Sequence, residues 1–291
     1  MIIDFHTHTF PDKIAGKAIA SLAAASHTTP FSDGTAAGLT ARNREAGIDL
    51  AVVLPVATSP QQVEHINDRA AETSRLFRED PAGTGILSFG AMHPDYEEPE
   101  KELKRIHAMG IQGIKVHSCY QGIDLDDPKF LRIFDCCASL GIMVVSHTGW
   151  DIGFPGVMHC SPAMIRRVME AIDPRKEGFT FVAAHMGGWK CWDEVPALAD
   201  TGIYIDTAFS TGRIPEAPEE AGHFDPEFLQ MLDSDGFMTI CRAFGPERLL
   251  FGTDNPWSSA RESLEFLRAL PLSEEDLAAI LGGNAARLLG L

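Results

Sequence analysis

The alternation of short apolar segments with helical segments constrains the fold of this chain most. Eight apolar segments of strand length occur along the 291 residues, at 1–5, 48–56, 85–92, 112–117, 142–147, 179–185, 203–206 and 248–254. Helical patterns lie between or after them, at 12–27, 39–45, 61–79, 97–109, 127–140, 161–172, 192–199, 225–234, 237–244, 260–269 and 273–288. Strands that are apolar along most of their length are typical of parallel sheets, which helices cover on both sides. The sequence therefore predicts an α/β fold with a closed (β/α)8 TIM barrel.

A doubly wound open sheet is the alternative that the same alternation allows. That fold requires a glycine-rich phosphate-binding turn after its first strand, but residues 4–8 read D-F-H-T-H at this point. The chain also contains no internal repeat, low-complexity segment or Pro/Ser-rich linker that would divide it. We therefore expect one barrel domain over residues 1–291.

The amino-acid composition and net charge limit the kinds of molecule that this chain is expected to bind. The net charge of −17 argues against a basic surface for nucleic acid or for anionic membranes, which leaves a small-molecule substrate as the expected partner. We find no apolar run of about 18 residues and no basic-then-apolar leader, so no membrane attachment is expected. The six cysteines form no CxxC pair, which is typical of a reducing compartment, and cytoplasmic localisation is the expectation.

Polar side chains end five of the predicted strands. These residues are His6 and His8, Lys115 and His117, His147, His185, and Asp254. One such histidine alone is more often a hydrogen-bonded core residue, but the carboxyl ends of barrel strands meet at one mouth, so we expect the whole set to converge. Imidazole and carboxylate ligands without a thiolate favour Zn²⁺, with Mn²⁺, Fe²⁺ or Co²⁺ as further possibilities. The pattern predicts a metal centre.

Six motifs give the chain a family resemblance. They are D-F-H-T-H at 4–8, G-I-K-V-H at 113–117, S-H-T-G at 146–149, A-H-M-G-G at 184–188, F-G-T-D-N-P at 251–256 and G-N-A-A-R-L-L-G-L at 283–291. Because these motifs occur in the family's own order, the chain resembles the amidohydrolase superfamily, and specifically its amidohydrolase-2 branch, which contains hydrolases and decarboxylases. The resemblance spans essentially the whole chain and implies a metal-dependent barrel enzyme, for which a homodimer is a reasonable expectation.

The resemblance also implies roles for single residues. His6, His8, His147 and Asp254 match the ligands of the mononuclear members. Asp254 further matches the carboxylate that takes a proton from the metal-bound water. His185 matches a histidine that acts as acid or base, or polarises the substrate, in mononuclear members and holds a second metal in binuclear members.

The number of metal ions is left open by residues near the fourth strand end. Binuclear members use a carboxylated lysine there as a bridge, and Lys115 lies on that strand. His117 follows Lys115 on the same face, so Lys115 is expected to lie too deep to bridge. The resemblance therefore favours one divalent ion, with Lys115, His117 and His185 as possible ligands of a second ion or as substrate contacts.

Other residues near the strand ends carry weaker hypotheses. Trp150, Trp189 and Trp257 follow strand ends and could line an aromatic pocket, or could simply pack on one another. Asp4 shares the face of His6 and His8 in a regular strand, so it is a candidate to hold an imidazole from behind or to form an ordinary buried hydrogen bond. Cys119 could approach the metal, although it lacks a spaced partner.

Three functions are compatible with this set of residues. The first prediction is a hydrolase that uses a metal-activated water to cleave an amide, lactone or ester of a small molecule. The alternative is a non-oxidative decarboxylase of the aminocarboxymuconate-semialdehyde or hydroxybenzoate type, which needs a cation such as Arg42, Arg44 or Arg213 for the carboxylate. The third, a barrel that only binds a ligand, is disfavoured by the complete set of metal ligands.

Overall fold

Strands and helices alternate along the chain, and the computed structural model describes residues 1–81, 85–172, 178–218 and 222–291. The strands are β1 (Ile3–Thr7), β2 (Leu50–Val53), β3 (Ile86–Ser88), β4 (Gly90–Ala91), β5 (Gly113–Val116), β6 (Met143–Ser146), β7 (Phe181–Ala183), β8 (Tyr204–Asp206) and β9 (Leu249–Leu250). The helices are α1 (Asp12–Ser26), α2 (Ala36–Ala46), α3 (Val63–Glu79), α4 (Pro99–Ala108), α5 (Ser118–Gln121), α6 (Pro128–Leu140), α7 (Pro162–Ala171), α8 (Ser234–Phe244), α9 (Ala260–Ala269), α10 (Glu274–Ala278) and α11 (Asn284–Leu289). Within these described ranges, none of the helices combines the length and the apolarity that crossing a bilayer requires.

The strands form a parallel ring. Neighbours pair in the order β1-β2-β3 and β4-β5-β6-β7-β8-β9, and every pair is parallel. Phe89 alone separates β3 from β4, so these two strands are halves of one barrel strand. The ring closes where the Phe5 amide donates to the Phe251 carbonyl at 2.8 Å and the Asp254 amide donates to the His6 carbonyl at 2.8 Å. The predicted α/β barrel is confirmed.

A buried asparagine supports the third barrel strand beyond the point where it is divided. The predicted continuous strand over 85–92 is divided at Phe89, and beyond it the Ala91 amide donates to Asn67 Oδ1 at 2.8 Å. Asn67 in turn donates to Glu102 Oε1 at 2.7 Å, and both side chains are buried. A buried amide needs a hydrogen-bond partner, and Asn67 of α3 supplies one to Ala91 in place of a strand carbonyl.

Several helical predictions are wrong in detail. The predicted helix at 192–199 is a 3₁₀ helix at Val195–Thr201, and the last predicted helix is divided by a π turn at Ala279–Gly283. The helical turns predicted at 225–234 are present in part, since the Leu229 amide donates to the Asp225 carbonyl at 3.2 Å, and α8 begins at Ser234, where Asp233 accepts from the Gly236 amide at 2.8 Å. In this segment Phe228 packs edge-on against Trp189, with ring centroids 5.6 Å apart.

The strand register directs polar side chains to one end of the barrel interior. Lys115, Val145 and Val182 are register partners on adjacent strands and therefore share a face. This face is the interior, because Lys115 reaches across to His6 of β1. Deeper in the barrel the interior is apolar, with Phe5 and Phe89 in edge-to-face contact at 5.7 Å. The candidate metal ligands therefore lie at the mouth of the barrel, next to apolar side chains that fill the deeper interior.

Candidate active site

Two histidines and an aspartate form a compact group at the mouth. His6 Nε2 lies 3.2 Å from His8 Nε2 and 3.4 Å from Asp254 Oδ1, and His8 Nε2 lies 3.0 Å from the same oxygen. Ligand bonds of about 2.0–2.2 Å to a divalent ion separate neighbouring donor atoms by roughly 3.0–3.5 Å. The three side chains therefore have the spacing of ligands to one ion.

The hydrogen bonds at the Nδ1 atoms of His6 and His8 show which ring nitrogens carry protons, and therefore whether the Nε2 atoms can bind a cation. His6 Nδ1 lies 2.8 Å from Asp206 Oδ2, and His8 Nδ1 lies 2.7 Å from the Leu54 carbonyl. Because a carbonyl oxygen and an ionised carboxylate can only accept, each Nδ1 carries the proton and each Nε2 presents a lone pair when Asp206 is ionised. Two facing lone pairs beside a carboxylate are favourable only around a positive charge. The residues present therefore fit a divalent metal ion.

Asp206 is a candidate site residue that the sequence analysis missed. It ends β8, and its second oxygen accepts from the His185 amide at 2.9 Å and from the Ala208 amide at 3.1 Å. Burial raises the pKa of Asp206 to about 7, against the opposing positive charge of Lys115. One carboxylate thereby fixes the ring of His6 and the backbone of His185. The strand-end rule that identified the other residues applies to this one too.

Asp4 does not hold an imidazole in this way. A register shift between Asp4 and Thr7 interrupts the strict alternation on which that hypothesis rested. The Asp4 carboxylate instead accepts from the Thr253 amide at 2.9 Å and from the Thr253 hydroxyl at 2.6 Å. Burial raises the pKa of Asp4 to about 7, and the hydrogen bonds from Thr253 only partly oppose that shift. Asp4 ties β1 to the last barrel strand.

Lys115 reaches the ligand group. Its Nζ lies 3.2 Å from His6 Nε2, and the side chain is 1% exposed. Burial lowers the pKa of Lys115 to about 8, although the charges of Asp206 and Asp254 oppose the shift. The lysine therefore lies at the depth of the ligand nitrogen rather than below it, and the neutral amine is accessible near neutral pH.

A second pair of imidazoles lies beside the first. His147 Nδ1 is 2.9 Å from His185 Nε2, while the outer nitrogens face the carbonyl oxygens of Trp150 at 3.1 Å and Ala208 at 2.9 Å. Burial lowers the pKa of His185 to about 4, and the charge of Asp254 offsets only part of this. Two further lone pairs thus face each other when both rings are neutral. The predicted ligand His147 adjoins the His6 group through His185.

His117 and His147 share a carboxylate on their other side. Their rings stack at 4.1 Å, and Asp151 Oδ2 lies 3.2 Å from His117 Nε2 and 3.7 Å from His147 Nε2. Donor atoms of these three residues lie within 4.8 Å of one another, as do those of His6, His8 and Asp254 in the first group. That His147 binds the same ion as the first group stays a prediction. Asp151 lies five residues beyond the end of β6, so its approach to these rings depends on the path of the loop and only the fold reveals it.

Left-handed backbone conformations mark the strand ends. His185 has φ of 61°, Met186 of 53° and Asp254 of 64°. Such values are uncommon outside glycine and persist where the surroundings hold them. Here the Asp206 carboxylate accepts from the His185 amide, and the His6 carbonyl accepts from the Asp254 amide. The backbone of both residues is therefore fixed by other residues of the site.

The three tryptophans of the pocket hypothesis differ in exposure. Trp189 is 2% exposed and belongs to a buried aromatic cluster with Phe209, against which Trp257 packs. Trp150 is 36% exposed and offers its carbonyl to His147. Packing on one another accounts for Trp189 and Trp257, whereas Trp150 has a free surface.

Comparisons with known proteins agree with this geometry. The sequence model of the Amidohydro_2 (amidohydrolase) family matches residues 3–291. The chain is 24% identical over 249 residues to the 2-amino-3-carboxymuconate-6-semialdehyde decarboxylase of Dictyostelium discoideum, covering 78% of this chain and 66%, or slightly less than two thirds, of that relative.

Solved structures share the fold over almost the whole length. The 5-carboxyvanillate decarboxylase from Sphingomonas paucimobilis superposes with a TM-score of 0.65 at 17% identity, covering 100% of this chain and 99% of the other. A dihydroxybenzoic acid decarboxylase from Polaromonas sp. JS666, with bound manganese and the inhibitor 2-nitroresorcinol, gives a TM-score of 0.68 at 15% identity, covering 100% and 97%. At these identities the structures establish the fold. With the family match over 3–291, the resemblance is confirmed, and the chain belongs to the Amidohydro_2 family of amidohydrolases.

Proposed function

We propose that this protein is a metal-dependent, non-oxidative decarboxylase of a small carboxylated aromatic or conjugated acid. The observation that carries the proposal is the compact group of His6, His8 and Asp254, with His185 beside it, in a chain whose relatives are decarboxylases over most of its length. The relatives thus favour the second of the predicted functions over hydrolysis.

The site supplies the parts that such a reaction needs. His6, His8 and Asp254 would hold the ion, which would supply Lewis-acid polarisation of a substrate oxygen. The bond between the substrate carbon and its carboxyl carbon breaks, carbon dioxide leaves, and the electron pair stays on the conjugated substrate. The proton that replaces the carboxylate comes from solvent, and His185 Nε2 or Asp254, which both face the ligand cluster, would take it up and pass it to the substrate carbon.

Recognition of the departing carboxylate points to Arg213 among the three candidate arginines. Arg42 and Arg44 belong to α2, which ends immediately before the start of β2 and therefore lies toward the amino ends of the strands. Arg213 follows the carboxyl end of β8, on the side of the mouth. Its guanidinium is 3.6 Å from Glu262, and the side chain is 68% exposed, so this pair can be exchanged for a substrate carboxylate.

Carbon dioxide release is the direct test of this proposal. The manganese-loaded protein is incubated with dihydroxybenzoates and 5-carboxyvanillate, and loss of the carboxyl group is followed by absorbance and by trapped carbon dioxide. We expect turnover that Asp254→Asn and His185→Gln each reduce by about 100-fold or more. Absence of turnover from fully loaded protein, together with cleavage of lactones or amides, would replace this proposal with the hydrolase.

The position of Lys115 favours that hydrolase as the second candidate. Because its pKa is lowered to about 8 and its Nζ lies 3.2 Å from a ligand nitrogen, the neutral amine can react with carbon dioxide to give a carbamate ligand. Hydrolysis by two ions then requires two bound equivalents of metal. Binding of both equivalents should depend on bicarbonate and on Lys115. One equivalent that Lys115→Met leaves unchanged would rule out the two-ion form of this candidate.

A further inference from the structure

Two thiols and an imidazole meet beside the candidate active site. Cys119, Cys160 and His147 each present one donor atom, and the three atoms lie within 4.8 Å of one another. All three side chains are buried. The thiols of Cys119 and Cys160 hydrogen-bond to each other, and Cys160 also donates to the Gly149 carbonyl at 3.3 Å. The proposed decarboxylation uses neither cysteine.

The segment that carries Cys119 is fixed by a buried glutamine. Cys119 lies in α5, directly after His117. Gln121 accepts from the His117 amide at 2.9 Å and donates to the carbonyls of Ala57 at 2.9 Å and Met92 at 2.7 Å. Because every polar atom of this amide is used across three chain segments, Cys119 is held in place without a bound ion.

The segment that carries Cys160 is fixed by a close approach of two backbones. The Gly149 amide donates to the Cys160 carbonyl at 2.8 Å, two residues after His147. A Cβ at Gly149 would lie 2.1 Å from the Trp189 amide nitrogen, so only glycine allows this approach. The distance between Cys160 and His147 is therefore fixed, because Cys160 is hydrogen-bonded to Gly149 and Gly149 lies two residues after His147.

The donor set selects a different kind of ion from the first group. Two sulfurs and one nitrogen favour a thiophilic ion with tetrahedral preference, whereas His6, His8 and Asp254 also suit harder ions such as Mn²⁺. These three protein donors leave the fourth position of a tetrahedral ion open. We propose that Cys119, Cys160 and His147 form a site for a thiophilic divalent ion such as Zn²⁺ or Cd²⁺, and that this site shares His147 with the candidate active site.

Binding at this thiophilic site opposes the activity of the neighbouring centre. Each thiol releases its proton to solvent when it binds the ion. His147 Nδ1 is 2.9 Å from Nε2 of His185, which carries the proton in the proposed function, so an ion that engages His147 disturbs the position of His185. The thiophilic site is therefore inhibitory, and this consequence alone rests on the proposed function.

Cadmium titration of reduced, manganese-loaded protein tests the site directly. We expect one equivalent of Cd²⁺ to produce the ultraviolet thiolate-to-cadmium charge-transfer band. Cys119→Ser and Cys160→Ser should each weaken the Cd²⁺ binding that this band reports by about 100-fold, since each removes one ligand. The matched control is Cys241→Ser, because Cys241 is also buried but lies on α8 and should leave the band unchanged.

Cadmium-113 NMR of the unsubstituted protein makes the test independent of how the variants fold. A chemical shift typical of two sulfur ligands supports the site. A shift typical of nitrogen and oxygen ligands only, absence of the charge-transfer band, or a band that persists in both serine variants would overturn it.

Discussion

Replacement of Asp206 by asparagine should weaken metal binding by inverting the proton of His6. In the native site Asp206 Oδ2 accepts from His6 Nδ1 at 2.8 Å, while Oδ1 accepts from the amides of His185 and Ala208. The amide oxygen of the introduced side chain would keep the two backbone donors, so its NH₂ group would face His6 Nδ1. Two donors cannot bond, and the proton of His6 must then move to Nε2, the nitrogen that binds the ion.

The expected loss of affinity follows from this displacement. Removing the acceptor behind a ligating histidine costs about 10–100-fold in metal affinity, or roughly 1.4–2.7 kcal/mol. The assay is competition for Mn²⁺ and Zn²⁺ against a chromophoric chelator, with a thermal melt to confirm folding.

The matched control is Asp4→Asn, which alters a second buried carboxylate, on β1. The introduced amide can accept from the Thr253 amide and donate to the Thr253 hydroxyl, so we expect metal affinity to change less than about threefold. Unchanged affinity in Asp206→Asn, or a larger loss in Asp4→Asn than in Asp206→Asn, would refute the role given to Asp206.

Three further predictions concern acid, metal removal and the fold. Burial, reinforced by the charge of Lys115, places the pKa of His6 well below 6.5, and burial with the neighbouring His117 does the same for His147. Protons therefore compete weakly at these rings, so the fall in metal occupancy that equilibrium dialysis should show between about pH 7.5 and 6.0 follows from protonation of Asp206, whose pKa is about 7; an equal fall in Asp206→Asn would contradict these shifts. Stripping the metal should lower the stability seen by calorimetry by about 2.7 kcal/mol relative to protein in free ion at about 100 times the dissociation constant, and the melting temperature of His6→Ala/His8→Ala should not respond to added metal. Asn67→Ala should cost about 2–4 kcal/mol in urea unfolding, because it leaves the Ala91 amide and part of the Glu102 carboxylate without a partner; metal content should not change, and a cost below about 1 kcal/mol would show that Asn67 does not support the interrupted strand.

The barrel was predictable because parallel strands and their ends leave strong patterns in sequence. Apolar runs fixed the order of the strands, and the rule that their carboxyl ends meet placed His6, His185 and Asp254 near one another. Asp206 obeys the same rule, but one carboxylate after a short strand carries little information on its own. The face of Asp4 was wrongly inferred, since a one-residue register shift reverses alternation and depends on the neighbouring strand.

Loop residues were less predictable for a physical reason. Asp151 reaches His117 through a loop whose path depends on contacts with other loops, which no local periodicity encodes. The same holds for the tryptophans: Trp189 is buried by Phe209 and Phe228, which arrive from distant segments. Cys119 was noted as close to the metal centre, but its partner Cys160 follows 41 positions later in the sequence and becomes adjacent only through the fold.

The most direct test of a metal centre at the barrel mouth is the metal content of the purified protein beside that of the His6→Ala/His8→Ala variant. Both are reconstituted with Mn²⁺, freed of loose ions by gel filtration, and analysed for bound metal, with thermal melts to confirm folding. The account predicts tightly bound metal in the native protein and its loss in the variant, since the variant removes two of the three grouped ligands. A native protein that retains no metal, or a folded variant that retains the native amount, would contradict it.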